Sequence, residues 1–260
     1  MKTLNNIFLI SDNTRKSIHI KKKIIKFINL VSPLNAKLFL VIGGDGFMLK
    51  TLKKYHDYKI PFYGINSGSY GFLMNKFSPK KFIMNIKKSK NIKVKPLIMK
   101  SVNNKNFSKK AMAINEISIL RQGRQTAKIS IKKNNSYLIK KLISDGVLIS
   151  TPAGSTAYNL SVHGPILDIN SKKITVTPIS PFRPRRWKGR ILSESKKITI
   201  RNLDLAKRPI SAVADNIEYR NIKTVKIEVS NKINFNLLFD KNNSLEKKIK
   251  IEQIKKETGK

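Results

Sequence analysis

The sequence predicts two domains, an α/β domain with a parallel sheet over residues 1–95 and an all-β, sandwich-like domain over residues 96–239. Two observations predict this division. Before Pro96, apolar runs alternate with segments of helical periodicity, which is typical of a parallel sheet covered by helices. After Pro96, short segments alternate apolar and polar residues, which is typical of antiparallel strands with one solvated face. The chain has 260 residues, enough for two ordinary domains.

The first domain is predicted from an alternation of strands and helices. Predicted strands cover residues 6–11, 37–43 and 61–66, and predicted helices cover residues 17–30, 47–57 and 78–90. The run KLFLVIG at 37–43 is almost continuously apolar, as in a strand covered on both faces. In the first helix, Ile24, Ile25 and Ile28 share one helical face. The alternation predicts a Rossmann-like sheet, in which ligands bind beyond the carboxyl ends of the strands.

The second domain is predicted from short segments, several of which alternate apolar and polar residues. These segments cover residues 111–120, 127–133, 172–180, 196–203, 210–215 and 224–230. In the last of them, Val225, Ile227 and Val229 alternate with charged residues. This pattern predicts strands with one wet face, in an antiparallel sheet or sandwich. The tail from Ser244 onward has a helical but strongly charged pattern.

Composition excludes several classes of protein. The chain has no cysteine, which excludes disulfides, thiolate metal sites and thiol nucleophiles. Its three histidines, His19, His56 and His163, are too scattered in the sequence to predict a zinc site. The N-terminal apolar run is too short for a signal peptide, and no apolar stretch is long enough to span a membrane. We therefore expect a cytoplasmic protein that does not interact with membranes.

The chain is strongly basic, with 54 Lys plus Arg against 15 Asp plus Glu and a formal net charge of +39. Such a charge attracts polyanions of any kind, including nucleic acid. The lysines, however, occur as short pairs along the whole chain, beside many Asn and Ile residues, which is typical of an AT-rich coding bias. We therefore expect no specific nucleic-acid partner. A basic polyanion-binding protein without catalysis remains the alternative from another functional class.

The stretch GGDG at 43–46 places Asp45 among three glycines where a buried strand should end. One interpretation is a tight strand-to-helix turn, because Gly and Asp are common turn residues. The other is a phosphate-binding turn made by Gly43, Gly44 and Gly46, because Gly lets a ligand approach the backbone and a helix N-terminus attracts anions. Both stay open on these residues alone. Neither GxxxxGK[ST] nor GxGxxG is present, so phosphates would be held by the backbone of this turn.

The stretch SDGVLISTPAGSTAYNLSVHGPIL at 144–167 combines a carboxylate, Asp145, with many small and hydroxyl residues and one tyrosine. Small residues permit close approach of a ligand, and hydroxyls and amides bind ribose and carboxamide groups. An ordinary polar loop between strands is the alternative interpretation of TPAGST.

Five motifs occur in a fixed order: GGDG (43–46), INSGSYGFL (65–73), NEISIL (115–120), DGVLISTPAGSTAYNLSVHGPIL (145–167) and TPISP (177–181). With them, the chain closely resembles the NAD kinases from about residue 37 to residue 216. GGDG is also found in phosphofructokinases and in diacylglycerol or sphingosine kinases, so a lipid kinase is the alternative within the superfamily. The stretch TPAGSTAYNLS favours the NAD kinases, and PFRPRRWKGRIL at 181–192 resembles an alphaproteobacterial branch.

The resemblance implies an enzyme that phosphorylates the 2′-hydroxyl of the adenosine ribose of NAD to make NADP. The phosphate donor is ATP, or inorganic polyphosphate in some members, and a divalent cation such as Mg²⁺ is required. The family forms homodimers or homotetramers through the second domain. The resemblance also implies that a C-terminal segment, at about residues 240–260 here, completes the first domain.

The resemblance also implies site residues. Asp45 is expected to be the general base and Gly46 a nucleotide contact, while Asn115 and Glu116 hold the nicotinamide ribose and Asp145 the nicotinamide side. The full set expected to bind NAD is Asp45, Gly46, Asn115, Glu116, Asp145, Ala153, Thr156, Ala157, Tyr158, Asn159, Leu160 and Ser161.

Further candidates for the site are Asn66, Phe72 and Asn216. No residue is assigned as a metal ligand. Arg183, Arg185, Arg186 and Arg190 are either auxiliary cations or part of a solvated basic loop or subunit contact. Alternative roles also remain for some of the expected site residues. Asn115–Glu116 could be a polar strand end, and both Tyr158 and Phe72 could be core aromatics.

Overall fold

The computed structural model describes residues 3–68 and 71–241. The chain divides into two compact units. The first contains the described residues up to Val94 and those from Ile233 onward, and the second contains Lys95–Lys232. Among the described residues, no helix is long and apolar enough to cross a membrane.

The described part of the first unit is a seven-stranded sheet with three α-helices. Its elements are β1 Leu4–Ser11, α1 Arg15–Ile24, β2 Ile28–Leu30, β3 Leu38–Gly43, α2 Asp45–Lys54, β4 Phe62–Asn66, β5 Asn75–Lys76, α3 Phe82–Lys87, β6 Lys90–Val94 and β19 Phe235–Phe239. The strand order is β2-β1-β3-β4-β19-β6, with β5 beside β4. All pairings are parallel except that of β6, which runs antiparallel to β19. The predicted α/β class is confirmed.

Three predicted helices of the first unit have different bounds in the structure. The helix expected over 17–30 ends at Ile24, and Ile28 lies in β2, where it pairs with β1. The stretch after Ile24 is rich in β-branched residues, which favour strands, and pairing with β1 outweighs its helical periodicity. The helix expected over 47–57 covers Asp45–Lys54, and the one expected over 78–90 shortens to Phe82–Lys87, because Lys90–Val94 forms β6.

The second unit contains two six-stranded sheets in which every pairing is antiparallel. Its elements are β7 Leu97–Asn103, β8 Ser108–Ala113, β9 Glu116–Arg121, β10 Ala127–Lys133, β11 Ser136–Ser144, β12 Gly146–Ser150, α4 Tyr158–Ser161, β13 Lys173–Ile179, β14 Arg190–Ser193, β15 Ile198–Asn202, β16 Ile210–Ala214, β17 Ile217–Tyr219 and β18 Ile222–Val229. One sheet has the order β11-β10-β15-β18-β7-β8, and the other β14-β13-β12-β9-β16-β17. A single apolar cluster contains residues of both sheets, as in a sandwich.

Two features of the chain path differ from the expectation. The segment 111–120 is two strands, β8 and β9, because the chain passes from one sheet to the other at Ile114–Asn115. The return to the first unit begins at Ile233 and not near residue 240, because Phe235–Phe239 pairs between β4 and β6. The charged segment from Ser244 and most of the expected C-terminal segment 240–260 lie outside the described residues.

Candidate functional site

The predicted turn between strand and helix is present in the first unit. All six residues of β3 are buried, and α2 begins at Asp45 with Gly44 as its N-cap. Asp45 therefore occupies the first turn of a helix, where a negative charge interacts favourably with the helix dipole. The turn lies at the carboxyl end of β3, between β1 and β4 in the parallel sheet. This is the edge at which parallel sheets bind ligands.

The three glycines of this turn differ in what requires them. A Cβ on Gly43 would lie 2.7 Å from Phe47 Cδ1 and 3.0 Å from Asp12 Oδ2, so packing requires this glycine. A Cβ on Gly44 or Gly46 would meet no atom of the described residues within 4 Å. None of the three has a left-handed φ, so the backbone conformation does not require glycine either. Packing and conformation within the described chain therefore explain Gly43 but not Gly44 or Gly46.

The carboxylate of Asp45 is held by the INSGSYGFL motif. Its Oδ2 accepts a hydrogen bond of 2.7 Å from the Phe72 backbone N–H, and its Oδ1 accepts one of 3.0 Å from the Leu73 N–H. A Cβ on Gly71 would lie 3.2 Å from Asp45 Oδ1, so the loop passes closely over the carboxylate. These contacts fix the orientation of Asp45. Phe72 contacts Asp45 through its backbone N–H, and the Phe72 side chain is partly buried.

Asn66 lies at the carboxyl end of β4, beside the glycine turn. The Ser67 N–H donates to the Gly43 carbonyl at 2.9 Å, and Asn66 Oδ1 accepts from the Gly68 N–H at 2.9 Å. The Ser67 hydroxyl also bonds to the buried Ser17 hydroxyl at 2.8 Å. Asn66 therefore shapes the loop that follows β4, on the same sheet edge as Asp45.

Asp12 is a carboxylate at this edge that the sequence analysis did not identify. It follows β1, and its N–H donates to the Ile42 carbonyl at 3.0 Å. Its Oδ1 accepts from the N–H and hydroxyl of Thr14, the N-cap of α1, at 3.0 and 2.8 Å. Burial favours a higher pKa for Asp12, but hydrogen bonds from Ser17 and Thr14 outweigh it and lower the pKa below 3.8. The signal available in the sequence was an Asp directly after the first predicted strand.

In the second unit, Asn115–Glu116 lies where the chain enters the second sheet. Glu116 begins β9 and pairs with Ser150 at the end of β12, while β16 flanks β9 on the other side and ends at Ala214. The ends of three adjacent strands thus bring together the NE motif, the start of TPAGST and the Asp215–Asn216 turn. Asn115–Glu116 is a polar strand end, as the alternative interpretation holds, but it also lies against two other candidate segments.

The stretch TPAGSTAYNLS divides into residues that hold the loop and residues that face outward. The Thr151 hydroxyl donates to the Ile114 carbonyl at 2.7 Å, and the Ser155 hydroxyl donates to the Pro152 carbonyl at 2.7 Å. Gly154 packs directly on the NE motif, since its Cβ would lie 2.2 Å from the Asn115 carbonyl oxygen. These residues form the structural part of the motif.

Asn159, which is expected to bind NAD, has a side chain whose hydrogen bonds are all made within the fold. It is completely buried, and its Oδ1 accepts from the Thr175 and Thr177 hydroxyls at 2.9 and 2.8 Å. Its Nδ2 donates to the Ser155 and Pro165 carbonyls at 3.3 and 2.9 Å. Since an Asn side chain offers two donors and about two acceptor positions, none remains for a ligand. The carboxamide anchors the loop to β13.

Other residues of the stretch either are exposed or leave a buried polar atom without a described partner. Tyr158 is 38% exposed, which contradicts the alternative of a core aromatic, and Ser161 is exposed. Thr156 is buried, yet its Oγ1 has no hydrogen-bond partner among the described residues, and the same holds for Asn115 Oδ1. Buried polar atoms normally have partners. A ligand that supplies donors or acceptors would satisfy both atoms.

Asp145 does not lie with these residues within one chain. It precedes β12, whereas Thr151 follows it, and five strand residues extend over about 17 Å. The Asp145 carboxylate forms an ion pair with Arg121 at 2.5 Å, at the opposite end of β9 from Glu116. The expected grouping of Asp145 with the NE motif is therefore absent within this chain.

The remaining candidates are exposed. Asn216 lies in the turn between β16 and β17, directly after Asp215. Arg183 and Arg185 stack on the Phe182 ring, and Arg183, Arg185, Arg186 and Arg190 are all exposed. Across residues 3–68 and 71–241, no group of three or more His, Asp or Glu gathers into a metal site.

Comparisons with known proteins show the family of this chain and a related fold. The family model described as "ATP-NAD kinase N-terminal domain" matches residues 9–92, and "ATP-NAD kinase C-terminal domain" matches residues 114–238. An NAD kinase of Caulobacter vibrioides is 44% identical over 86% of each chain, and one of Rickettsia typhi is 42% identical over 96% of this chain and 98% of its own. A crystal structure of yeast NADH kinase complexed with NADH has a TM-score of 0.80 at 18% identity, covering 99% of this chain and 89% of that chain.

Proposed function

Because the chain belongs to the ATP-NAD kinase family, we propose that it transfers the γ-phosphoryl group of ATP to the 2′-hydroxyl of the adenosine ribose of NAD, giving NADP and ADP. The resemblance to NAD kinases, including those of alphaproteobacteria, is confirmed by the Caulobacter and Rickettsia relatives. The chain is therefore a kinase, and no finding favours the lipid-kinase alternative.

One observation carries the proposed chemistry: Asp45 lies at a helix N-terminus beside two glycines that the described fold does not need. Backbone N–H groups at a helix start bind anions, and glycine without a neighbour within 4 Å leaves room for phosphate oxygens. The carboxylate is already held by the Phe72 and Leu73 N–H groups. These features support a phosphate-binding turn with a fixed carboxylate.

In the proposed reaction, the 2′-hydroxyl oxygen forms a bond to the γ-phosphorus while the bond from that phosphorus to the β–γ bridging oxygen breaks. The hydroxyl proton passes to the Asp45 carboxylate, and ADP leaves with the bridging-oxygen electrons. An ionised carboxylate offers about four acceptor positions, so the Phe72 and Leu73 N–H groups can orient Asp45 while it receives this proton. Proton acceptance of this kind is general-base catalysis.

We expect Mg²⁺ to enter with ATP and to neutralise charge on the phosphates. The described residues fit this form of binding better than a protein-held metal site, because they gather no set of three acidic or histidine ligands. Magnesium is commonly bound through substrate phosphates, water and one or two carboxylates. Asp12 and Asp45, which follow the neighbouring strands β1 and β3 at the same sheet edge, are the carboxylates that would contact such an ion.

The second unit supplies the proposed dinucleotide contacts. Asn115 Oδ1 and Thr156 Oγ1, which are buried without a hydrogen-bond partner among the described residues, are suited to ribose hydroxyls or amide groups. Tyr158 offers an exposed ring against which an adenine or a ribose can pack. Glu116 and Ser161 complete the polar surface at this end of the sheet. Asn159 contributes indirectly, by holding the loop.

We also infer that the enzyme works as a homodimer or homotetramer. Asp145 lies at the opposite end of β12 from Thr151, so a second copy that juxtaposes these two ends would bring Asp145 to the dinucleotide. At an NAD concentration too low for either the Glu116→Ala or the Asp145→Ala variant to turn over measurably, mixing the two as dimers should restore about a quarter of wild-type activity, because half of the dimers are heterodimers with one intact site. No recovery on mixing under subunit exchange would contradict a shared site.

The proposed activity is tested by incubating the purified protein with NAD, ATP and Mg²⁺ and measuring NADP with an NADP-specific dehydrogenase. Parallel reactions contain diacylglycerol or sphingosine in place of NAD. We expect NADP alone to form, whereas phosphorylation of a lipid without NADP would favour the lipid-kinase alternative. The cytoplasmic location and the lack of a specific nucleic-acid partner remain predictions.

A further inference from the structure

Residues 114–116, which carry the NE motif, are held by a carboxylate with no assigned function. Asp215 Oδ2 accepts from the Ile114 N–H at 2.9 Å, and Asp215 Oδ1 accepts from the Asn115 N–H at 2.9 Å and the Glu116 N–H at 3.3 Å. Three successive backbone donors therefore point at one side chain. Hydrogen bonds to an ionised carboxylate are stronger than those between neutral groups.

The carbonyl side of the same segment is held by Thr151. Its hydroxyl lies 2.7 Å from the Ile114 carbonyl and 3.1 Å from the Asn115 carbonyl, and its own N–H donates to the Asn115 carbonyl at 2.9 Å. Gly154 packs against the backbone of Asn115 so closely that there is no room for a Cβ at position 154. The peptide groups on both sides of Asn115 are thus fixed from two directions.

The backbone of Asp215 is itself unusual, with φ at +52°. Non-glycine residues rarely adopt this left-handed conformation, although Asp and Asn tolerate it best. The Asp215 N–H donates to the Glu116 carbonyl at 3.1 Å, so the turn and the NE motif hold each other through both backbone and side chain. A strained backbone persists only where the surrounding structure over-determines it.

We propose that Asp215 and Thr151 are positioning residues for NAD, which fix the backbone of residues 114–116 and thereby aim the Asn115 and Glu116 side chains at the dinucleotide. The inference rests on the proposed function of the NE motif. It explains why an Asp precedes Asn216 in the short loop between β16 and β17. Asp215 itself does not contact NAD in this proposal, and it affects binding by fixing the backbone of residues 114–116.

The test compares variants of the two residues. Asp215→Gly accepts the left-handed φ but removes the carboxylate, and Asp215→Asn keeps its shape with one acceptor oxygen. Thr151→Val removes the hydroxyl, and Thr151→Ser restores it. Calorimetry measures the Kd for NAD, and steady-state assays measure KM for NAD, KM for ATP and kcat. Misplacing a binding group by about 1 Å can cost a factor of about 10².

We expect Asp215→Gly and Thr151→Val to raise the Kd and KM for NAD by about ten- to a hundredfold while KM for ATP stays unchanged. Asp215→Asn should be intermediate, and Thr151→Ser should restore most of the affinity. Asn134→Gly is the matched control, because Asn134 has φ +51° and its Oδ1 accepts the Lys197 N–H at 3.0 Å, away from residues 114–116. This control should leave the Kd for NAD unchanged.

A merely structural effect would lower thermal stability and the active fraction in Asp215→Gly and Asn134→Gly alike, without changing the Kd of the folded fraction. Folded Asp215→Asn and Thr151→Val with Kd values for NAD within twofold of wild type would overturn the inference. A wild-type protein that neither binds NAD nor makes NADP would instead contradict the proposed function.

Discussion

Replacing each glycine of the GGDG turn by alanine should separate the requirements of the fold from those of the ligand. Gly43→Ala adds a methyl group 2.7 Å from Phe47 Cδ1 and 3.0 Å from Asp12 Oδ2. Gly46→Ala adds one where no described atom lies within 4 Å. The two substitutions are chemically identical and only three residues apart. They should nevertheless affect different measurements.

The expected magnitude for Gly43→Ala follows from its contacts. Carbon atoms pack best at about 3.5–4.0 Å, so the new methyl overlaps its neighbours by about 1 Å. The buried strand β3 cannot move easily, and the Phe47 ring must rotate. Overpacking of this kind costs about 1–3 kcal/mol. In a protein of this size that lowers Tm by about 2–4 °C for each kcal/mol.

Gly46→Ala should instead affect activity alone. Position 46 lies in the first turn of α2, where alanine is a better helix former than glycine by up to about 1 kcal/mol, so Tm should be unchanged or slightly higher. The methyl group occupies the open space in which we propose that the nucleotide approaches. We expect kcat/KM for ATP to fall at least about tenfold, and Gly44→Ala should reduce it similarly.

The assay combines thermal unfolding with steady-state kinetics at a temperature at which every variant is folded. Gly43→Ala should lose stability and keep its KM values, whereas Gly46→Ala should keep stability and lose kcat/KM. A Gly46→Ala enzyme with both KM values and kcat within twofold of wild type would refute the reasoning, since the glycine would then face no ligand.

Three further predictions concern single side chains. Asp145→Ala should raise KM for NAD far more than KM for ATP, and equal effects on both would assign Asp145 to the phosphoryl-transfer step. Asn159→Ala leaves two buried threonine hydroxyls without their acceptor and should lower the free energy of unfolding by about 2–5 kcal/mol in denaturant titrations, whereas the exposed Ser161→Ala should not. Because the pKa of Asp12 lies below 3.8 in the folded protein, its stabilising contribution is present above that pH and is lost as pH falls through the lowered pKa. Asp12→Asn should therefore reduce the acid dependence of Tm below about pH 5, and an unchanged dependence would contradict this assignment.

Hydrophobic periodicity and turn residues predicted those elements of the fold that depend mainly on interactions between residues close in sequence. The apolar run at β3, the GGDG turn before α2 and the alternating strand β18 appear where periodicity and turn residues predicted them. The stretch after Ile24 was ambiguous, because β-branched residues carrying a helical period can form either element. Pairing with β1 decided it, and no property of the segment itself reveals that pairing.

Long-range pairings account for what the sequence could not predict. The position of Asp145 relative to Glu116 depends on the register of β9 and β12, which places the two residues at opposite ends of the same strand pair. The structural role of Asn159 depends on Thr175 and Thr177, sixteen and eighteen residues away on β13. The return of β19 to the first sheet joins residues more than 170 positions apart.

The central claim is that Asp45 accepts the proton of the 2′-hydroxyl during phosphoryl transfer to NAD. Asp45→Asn keeps the side-chain shape and removes its basicity, and single-turnover transfer from ATP to bound NAD measures the step directly. We predict that the rate falls by about 10² to 10⁴, equivalent to about 3–5 kcal/mol of barrier. The Kd for NAD measured by calorimetry should stay within a few-fold of wild type. A near-wild-type rate of NADP formation by Asp45→Asn would contradict the claim.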